Sequence, residues 1–102
     1  MLALAGIWSA THDGLPTVAI ITTTPNALVA AVHDRMPVIL PPDHLEAWLD
    51  AGAELAELEP MLAPTAETTL RMWPVGIAVN RVAADGPGLL EPVELPRTLG
   101  LV

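Results

Sequence analysis

The chain of 102 residues contains no cysteine, no lysine, no phenylalanine and no tyrosine. Without cysteine it can form no disulfide framework, no thiolate metal site and no thiol nucleophile. Its twelve acidic residues outnumber four arginines, which gives a formal net charge of −8. Because nucleic-acid binding draws its affinity from basic side chains, this charge predicts that any contact with DNA is local or relies on residues outside the chain.

Long apolar runs are also missing, although 52% of the residues are apolar. That fraction excludes disorder and suits a single small domain. No run approaches the ~20 residues of a membrane helix, and the first residues lack the basic region of a signal peptide. We therefore expect no contact with a membrane and a cytoplasmic location.

Apolar and β-branched residues predict three strands in the first half of the chain. The first two, at residues 2–8 and 17–23, should form a hairpin, since Asp13-Gly14 between them is a strong turn signal. Thr24 and Pro25 predict a helix of about two turns, with Thr24 as its N-cap. A third strand follows at residues 36–40 and stops at Pro41-Pro42.

The second half predicts helices and one further strand. Asp43 and Glu46 resemble a capping box for a helix at residues 43–50 with Leu45, Trp48 and Leu49 buried. Another helical turn is expected at residues 53–58. Alternation over residues 74–82 predicts a strand with one buried face. Trp48 and Trp73 lie in apolar patterns and are expected in the core, not as base-stacking platforms.

Three consecutive ionisable side chains, His33, Asp34 and Arg35, lie between the first predicted helix and the third predicted strand. From the residues alone, His33 is either a structural imidazole at a helix end or a general acid and base. Arg35 is either a helix cap or ion-pair partner, or a bidentate phosphate contact. The threonines at 22–24 are either strand formers and a cap, or part of an anion-binding spot.

Two other groups of polar residues do not match the pattern of a metal site or of a catalytic triad. His12, His33 and His44 lack the spacing of a metal-binding pair, so we expect no metal site and no cofactor. Ser9 stands in the same turn region as His12 and Asp13, whereas a catalytic triad normally draws its members from separate elements.

The run His33-Asp34-Arg35-Met36-Pro37 carries a family resemblance. With Ile20-Ile21-Thr22-Thr23, Asn26 and Trp48-Leu49 around it, the run resembles the SOS response-associated peptidase (SRAP) family, whose members process abasic sites in single-stranded DNA. The segments 4–8, 74–80 and 89–92 extend the likeness over nearly the whole chain, but over only about the second half of the family's domain. It implies an α+β fold with an antiparallel, barrel-like sheet and short flanking helices, here occupying residues 1–93 before an extended tail at 94–102.

The resemblance also implies roles for individual residues. His33 takes the position of the family's active-site histidine and is the expected catalytic residue. Arg35 takes the position of an arginine that contacts the DNA backbone, and Thr22 belongs to a threonine pair that lines the pocket. We expect Asn26 to stabilise the helix start and Asp34 to be structural.

One family feature is absent from this sequence. The family's nucleophile is a cysteine directly after the initiator methionine, which forms a thiazolidine crosslink with an abasic site, whereas residue 2 here is Leu2. We therefore expect this chain to be the C-terminal portion of a DNA-damage (SOS) response protein whose family has hydrolase, lyase and DNA–protein crosslinking chemistry. We expect the chain to be inactive alone and to pair with a missing N-terminal half or with itself. The alternative is a non-catalytic acidic protein-interaction module.

Overall fold

The computed structural model describes residues 1–94, which belong to two compact units, one of Met1–Thr69 and a second that begins at Leu70. The first unit contains six short strands and three helices. The strands are β1 (Ala3–Leu4), β2 (Gly6–Ala10), β3 (Pro16–Ile20), β4 (Thr22–Thr23), β5 (Met36–Pro37) and β6 (Ile39–Leu40). They form three antiparallel pairs, β1 with β6, β2 with β3 and β4 with β5.

The three pairs meet at a closed triangle of backbone hydrogen bonds. The N–H of Ala5 donates to the carbonyl of Val38, Val38 donates to Ile21, and Ile21 donates to Ala5, each at 2.9 Å. Each predicted strand is therefore interrupted near its middle, at Ala5, Ile21 or Val38, and changes its pairing partner there. This pairs six backbone groups around Ala5 and Val38, which are fully buried, and an unpaired group there would be costly.

The core of the first unit lies around this triangle. Five apolar residues are buried in the described chain: Ala5, Met36, Val38, Ile39 and Leu40. Leu45 and Trp48 of the following helix pack against them, and the Trp48 indole donates a hydrogen bond of 3.2 Å to the carbonyl of Gly6. Trp48 thus packs against the core as predicted, with its one polar atom paired.

The predicted hairpin is present, with all five residues of β2 paired to β3. Its turn is held by Thr11, whose backbone and hydroxyl both bond to the backbone of Leu15. Gly14 adopts a φ of 86°, which a residue with a Cβ rarely does. The Asp-Gly signal in the sequence therefore located this turn correctly.

The helices are shorter than predicted: α1 (Ala27–Ala30), α2 (Leu45–Leu49) and α3 (Leu55–Leu58), with 3₁₀ turns at Pro42–His44, Glu59–Leu62 and Glu67–Thr69. The prediction of Thr24 as the first N-cap was wrong. Asn26 is the N-cap because its Oδ1 accepts from the N–H of Val29 at 2.9 Å. The role expected for Asn26, stabilising the helix start, is confirmed.

The predicted capping box of the second helix was also wrong. This segment begins as a 3₁₀ turn whose N-cap is Pro41, and no side chain caps it or the following α2. Proline has no side-chain acceptor, and Pro42 at the first position needs no N–H partner. Leu49, expected in the core, is exposed.

The second unit contains no strand over residues 74–82, contrary to the prediction. Val75 makes a single antiparallel bridge with Pro92, and Ile77–Asn80 is a 3₁₀ turn. Lacking a continuous partner strand, the backbone bonds locally, from Val79 to Gly76 and from Arg81 to Ala78. A further 3₁₀ turn covers Pro87–Leu90, and Trp73, predicted in the core, is exposed.

The α+β class is confirmed, but the strands that the structure describes form separate pairs and no closed barrel. Of the predicted tail, only residue 94 lies within the described residues. No helix in residues 1–94 has the length and apolar character needed to cross a bilayer.

Candidate nucleic-acid interface

His33, Asp34 and Arg35 occupy the connection between α1 and β5, and both ends of this connection are anchored. At its start the N–H of His33 donates to the carbonyl of Val29 at 2.9 Å. At its end Met36 is buried, and its sulfur accepts from the N–H of Asn26 at 3.3 Å. The three exposed side chains therefore project from a short segment with fixed ends.

Arg35 folds back across the β4–β5 pair onto Thr22. Its Nη2 donates to the Thr22 carbonyl at 2.8 Å and to Oγ1 of Thr22 at 3.2 Å, and Nε lies 3.3 Å from the same Oγ1. Thr22 is opposite Pro37 in the strand register, and Arg35 is two residues before Pro37, so its side chain can reach Thr22. The structure thus brings together two of the residues that the sequence singled out.

This arrangement changes what the guanidinium can offer to an anion. Nε and Nη2 are engaged by Thr22, whereas Nη1 has no hydrogen-bond partner within residues 1–94. A phosphate oxygen can therefore approach Nη1 directly, while the bidentate contact expected from the sequence requires Arg35 to release Thr22. Arg35 makes no ion pair with Asp34 or Glu46 in the described part of the chain.

His33 is tied to the backbone of Arg35 through one ring nitrogen. Its Nδ1 accepts from the N–H of Arg35 at 3.0 Å, and the same atom lies 2.9 Å from the Arg35 carbonyl and 3.3 Å from Oδ1 of Asp34. The unprotonated Nδ1 can accept the first contact, and the protonated one can donate to either oxygen. Nε2 makes no hydrogen bond in the described structure, so it is the atom that can exchange a proton with a ligand.

Asn26 stabilises the start of the helix that precedes these residues. Besides capping α1, its Nδ2 donates to the carbonyl of Thr65 at 3.0 Å, which fastens the helix start to a distant part of the first unit. Both polar ends of the amide are therefore used structurally. This tie between Asn26 and Thr65 has no signal in the sequence, because the two residues are 39 positions apart.

The other candidate side chains are not brought together in the part of the chain that the structure describes. Asp13 accepts from the hydroxyl of Thr11, not from His12, and no triad contact joins it to Ser9. No cluster of three metal-ligating side chains occurs among residues 1–94. His44 has a buried Nδ1 that makes no hydrogen bond with residues 1–94, and it lines an apolar cavity of about 530 Å³.

The fold and this corner together define an α+β domain with an exposed imidazole and a held guanidinium on one surface. Residues 1–82 match the family model described as SOS response associated peptidase (SRAP). This chain therefore belongs to the SRAP family.

Individual relatives agree with this assignment. The chain is 37% identical over 97 residues to the abasic site processing protein YoaM of Bacillus subtilis (strain 168), covering 89% of this chain and 42% of YoaM. It is 34% identical over 96 residues to YoqW of the same organism, covering 89% and 43%. An X-ray crystal structure of a protein from Bacteroides thetaiotaomicron shares the fold, with a TM-score of 0.77 and 24% identity over 91% of this chain and 44% of that one. The chain thus spans less than half the length of these proteins.

Proposed function

We propose that this chain forms part of an abasic-site processing protein and contacts the backbone of single-stranded DNA through Arg35. The observation that carries the proposal is the meeting of Arg35, Thr22 and His33 at one exposed corner, within the motif that resembles the family's. YoaM and YoqW are both named abasic site processing proteins, which supports the same role.

In this proposal Arg35 supplies a local positive charge on an acidic protein. The chain carries a net charge of −8, so long-range attraction to phosphate is weak and the contact depends on short-range geometry. Thr22 holds the guanidinium in place before DNA arrives, which lowers the conformational entropy lost on binding. The expected result is weak, salt-sensitive binding by this chain alone.

His33 is proposed as the proton-transfer group. Its Nδ1 is held by the backbone of Arg35, which orients the ring and leaves Nε2 without a hydrogen bond to residues 1–94. A proton donor or acceptor at that position suits the chemistry of an abasic-site aldehyde, where nitrogen or sulfur addition requires proton transfers. Because these 102 residues contain no cysteine, the proposed crosslinking needs a thiol from another polypeptide segment.

DNA binding is tested with a fluorescent single-stranded oligonucleotide that contains one abasic site, titrated at several salt concentrations. If Arg35 neutralises one phosphate, Arg35→Ala should reduce the slope of log K against log salt by about 0.7. Arg35→Lys keeps the charge and should keep the slope while lowering affinity, since an ammonium cannot reproduce the contacts with Thr22.

Arg81→Ala is the matched control, because it removes an equal charge from an exposed arginine in the second unit. It should leave the slope unchanged. Tight binding that Arg35→Ala does not alter would show that DNA binds elsewhere.

Proton transfer is tested by mixing the chain with an abasic-site oligonucleotide and a polypeptide that supplies the family's N-terminal cysteine. A covalent band on a denaturing gel should appear only in the mixture, and His33→Ala should slow its formation by about 100-fold or more. Equal rates for wild type and variant would remove His33 from the chemistry.

The acidic charge favours one other candidate, a non-catalytic module that binds a protein. This function predicts no binding of the oligonucleotide at any salt concentration. It also predicts no covalent band in the mixture.

A further inference from the structure

The second unit exposes a tryptophan that has an arginine placed over its ring. The Cζ atom of Arg71 lies 5.6 Å from the centre of the Trp73 ring, within the range of a cation–π contact. Trp73 is 44% exposed, although its sequence pattern predicted a core position. The two side chains therefore form an exposed pair, which we call the Arg71–Trp73 platform.

The indole of this platform is fixed in direction. Its Nε1 donates a hydrogen bond of 2.7 Å to the carbonyl of Leu90. Nearby, Val75 forms an antiparallel bridge with Pro92, which ties together the two segments that carry the indole and this carbonyl. A flat ligand that stacks on the ring therefore meets a side chain that loses little conformational freedom on binding.

The guanidinium of Arg71 is available to an anion. With residues 1–94 it makes no ion pair and no hydrogen bond, whereas two nitrogens of Arg35 are already engaged by Thr22. An available cation beside an exposed aromatic ring is the combination that binds a nucleotide, because the base stacks on the ring and the phosphate pairs with the cation.

A shallow pocket of about 290 Å³ lies against the platform. The lining that the structure describes contains no carboxylate and consists of Arg71, Met72, Trp73, Val75 and Leu90. A pocket of this size admits one planar group and is too small for a folded segment of another protein. Because its single charge is positive, in a chain of net charge −8, the pocket favours a planar ligand that carries an anion.

We propose that the Arg71–Trp73 platform binds one nucleotide of single-stranded DNA, with its base stacked against Trp73 and its phosphate paired with Arg71. This inference rests on the proposed function for its ligand, but it assigns the contact to residues that the proposed function does not use. It predicts a second DNA contact that needs an intact base, in addition to the backbone contact of Arg35.

Stacking is tested with two fluorescent single-stranded oligonucleotides of equal length and charge. The first contains one abasic site among normal nucleotides, and the second consists of tetrahydrofuran abasic residues throughout. Trp73→Leu should lower the affinity for the first by about fivefold or more without changing its salt slope. It should leave the affinity for the second unchanged, since that oligonucleotide has no base to stack.

Trp73→Phe separates stacking from a structural effect of the substitution. Phenylalanine also loses the hydrogen bond to Leu90 but keeps an aromatic face, so the affinity should fall less than in Trp73→Leu. Trp8→Leu is the matched control, because Trp8 is 77% exposed and no arginine lies over its ring in the described chain. It should leave the affinity for both oligonucleotides unchanged.

The phosphate contact is tested by the salt dependence of binding to the first oligonucleotide. Arg71→Ala should reduce the slope of log K against log salt by about 0.7, and Arg71→Lys should keep the slope. Arg81→Ala removes an equal charge from the same unit and should have no effect on the slope.

Two results would overturn the proposal. One is an affinity for the first oligonucleotide that neither Trp73→Leu nor Arg71→Ala changes, which would leave the platform as a surface for a protein. The other is an equal loss by Trp73→Leu with both oligonucleotides, which would show a structural effect. An effect of Arg35→Ala without one of Arg71→Ala refutes the platform alone, and the reverse refutes only the role of Arg35.

Discussion

The guanidinium of Arg35 donates to the backbone carbonyl of Thr22 at 2.8 Å and also contacts its hydroxyl. These two residues are 13 positions apart: Thr22 lies in β4, and Arg35 directly precedes β5. The contact fixes the direction of an otherwise flexible side chain and joins the two residues in one structural unit. Arg35 is therefore already held by Thr22 before any anion binds.

The first prediction separates the contribution of the Thr22 hydroxyl from that of the Thr22 backbone carbonyl. Thr22→Val removes the hydroxyl but keeps the backbone carbonyl, so Arg35 should remain in place but less firmly held. We expect affinity for a single-stranded oligonucleotide to fall by about twofold to threefold, with no change in its salt slope because no charge is lost. Thr17→Val is the control, since Thr17 also loses one exposed hydrogen bond, to the carbonyl of Ser9, and should not affect affinity.

The second prediction concerns the amide of Asn26. Asn26→Ala removes both the cap of α1 and the bond to Thr65, and we expect it to lower the free energy of unfolding by roughly 1–3 kcal/mol. Asn26→Asp keeps an acceptor for the N–H of Val29 but loses the donor to Thr65. The difference in stability between the two variants should therefore separate the contribution of the Thr65 bond from that of the cap. Urea denaturation measures both variants, and equal stability of wild type and Asn26→Ala would contradict this account.

The sequence predicted the three strands around the triangle because each contains a short run of β-branched and apolar residues. It could not predict that each strand is interrupted at Ala5, Ile21 or Val38, since that depends on backbone pairing between distant segments. Residues 74–82 show the converse failure. Their alternation is typical of a strand, yet a strand also needs a partner, and residues 1–94 supply only one bridge at Val75.

The candidate site was predictable only in part. The order His33-Asp34-Arg35 singled out this segment as the candidate, because a consecutive set of ionisable groups between two elements is uncommon in this sequence. The hold of Thr22 on Arg35 depends on the register of β4 against β5, which no local pattern encodes. The exposure of Trp8 could not be predicted from the sequence either, since a tryptophan within an apolar strand usually faces a core.

The third prediction tests the central triangle. Val38 forms one corner of the triangle and is fully buried, and Val38→Ala should cost about 2 kcal/mol or more through lost burial and an unfilled cavity. Val18→Ala deletes the same two methyl groups from a side chain that is 72% exposed, and it should change stability by less than about 0.5 kcal/mol. Thermal and urea unfolding compare the pair, and equal losses would show that the triangle is not the centre of the folding unit.

The fourth prediction concerns the turn of the hairpin at acidic pH. The hydroxyl of Thr11 donates to Asp13 and, with a backbone hydrogen bond, lowers the pKa of that exposed carboxyl below its ordinary value. Since the folded pKa is the lower one, the contribution to stability is present above the unfolded pKa and is lost as the pH falls through the folded pKa. Thr11→Val should raise the Asp13 pKa toward the ordinary value, measured by carboxyl carbon NMR, while Thr17→Val should leave it unmoved.

The fifth prediction assigns separate roles to the two ring nitrogens of His33. In the neutral ring Nδ1 can accept from the N–H of Arg35, and protonation converts it to a donor toward the Arg35 carbonyl or Asp34. We therefore expect the amide shift of Arg35 in NMR spectra to follow the protonation of His33. An Arg35 amide that ignores this event would mean that the contact is absent in solution.

Substitution by the two amides completes that test, because each amide places a polar atom near one ring nitrogen. His33→Asn keeps an acceptor close to Nδ1 and should preserve the protection of the Arg35 amide from hydrogen exchange, while losing any chemistry at Nε2. His33→Gln reaches toward Nε2 and should expose the Arg35 amide, with protection falling by about fivefold for the loss of one hydrogen bond worth ~1 kcal/mol. If both variants protect the amide equally, the backbone alone sets this segment, and Nδ1 has no part in orienting the ring.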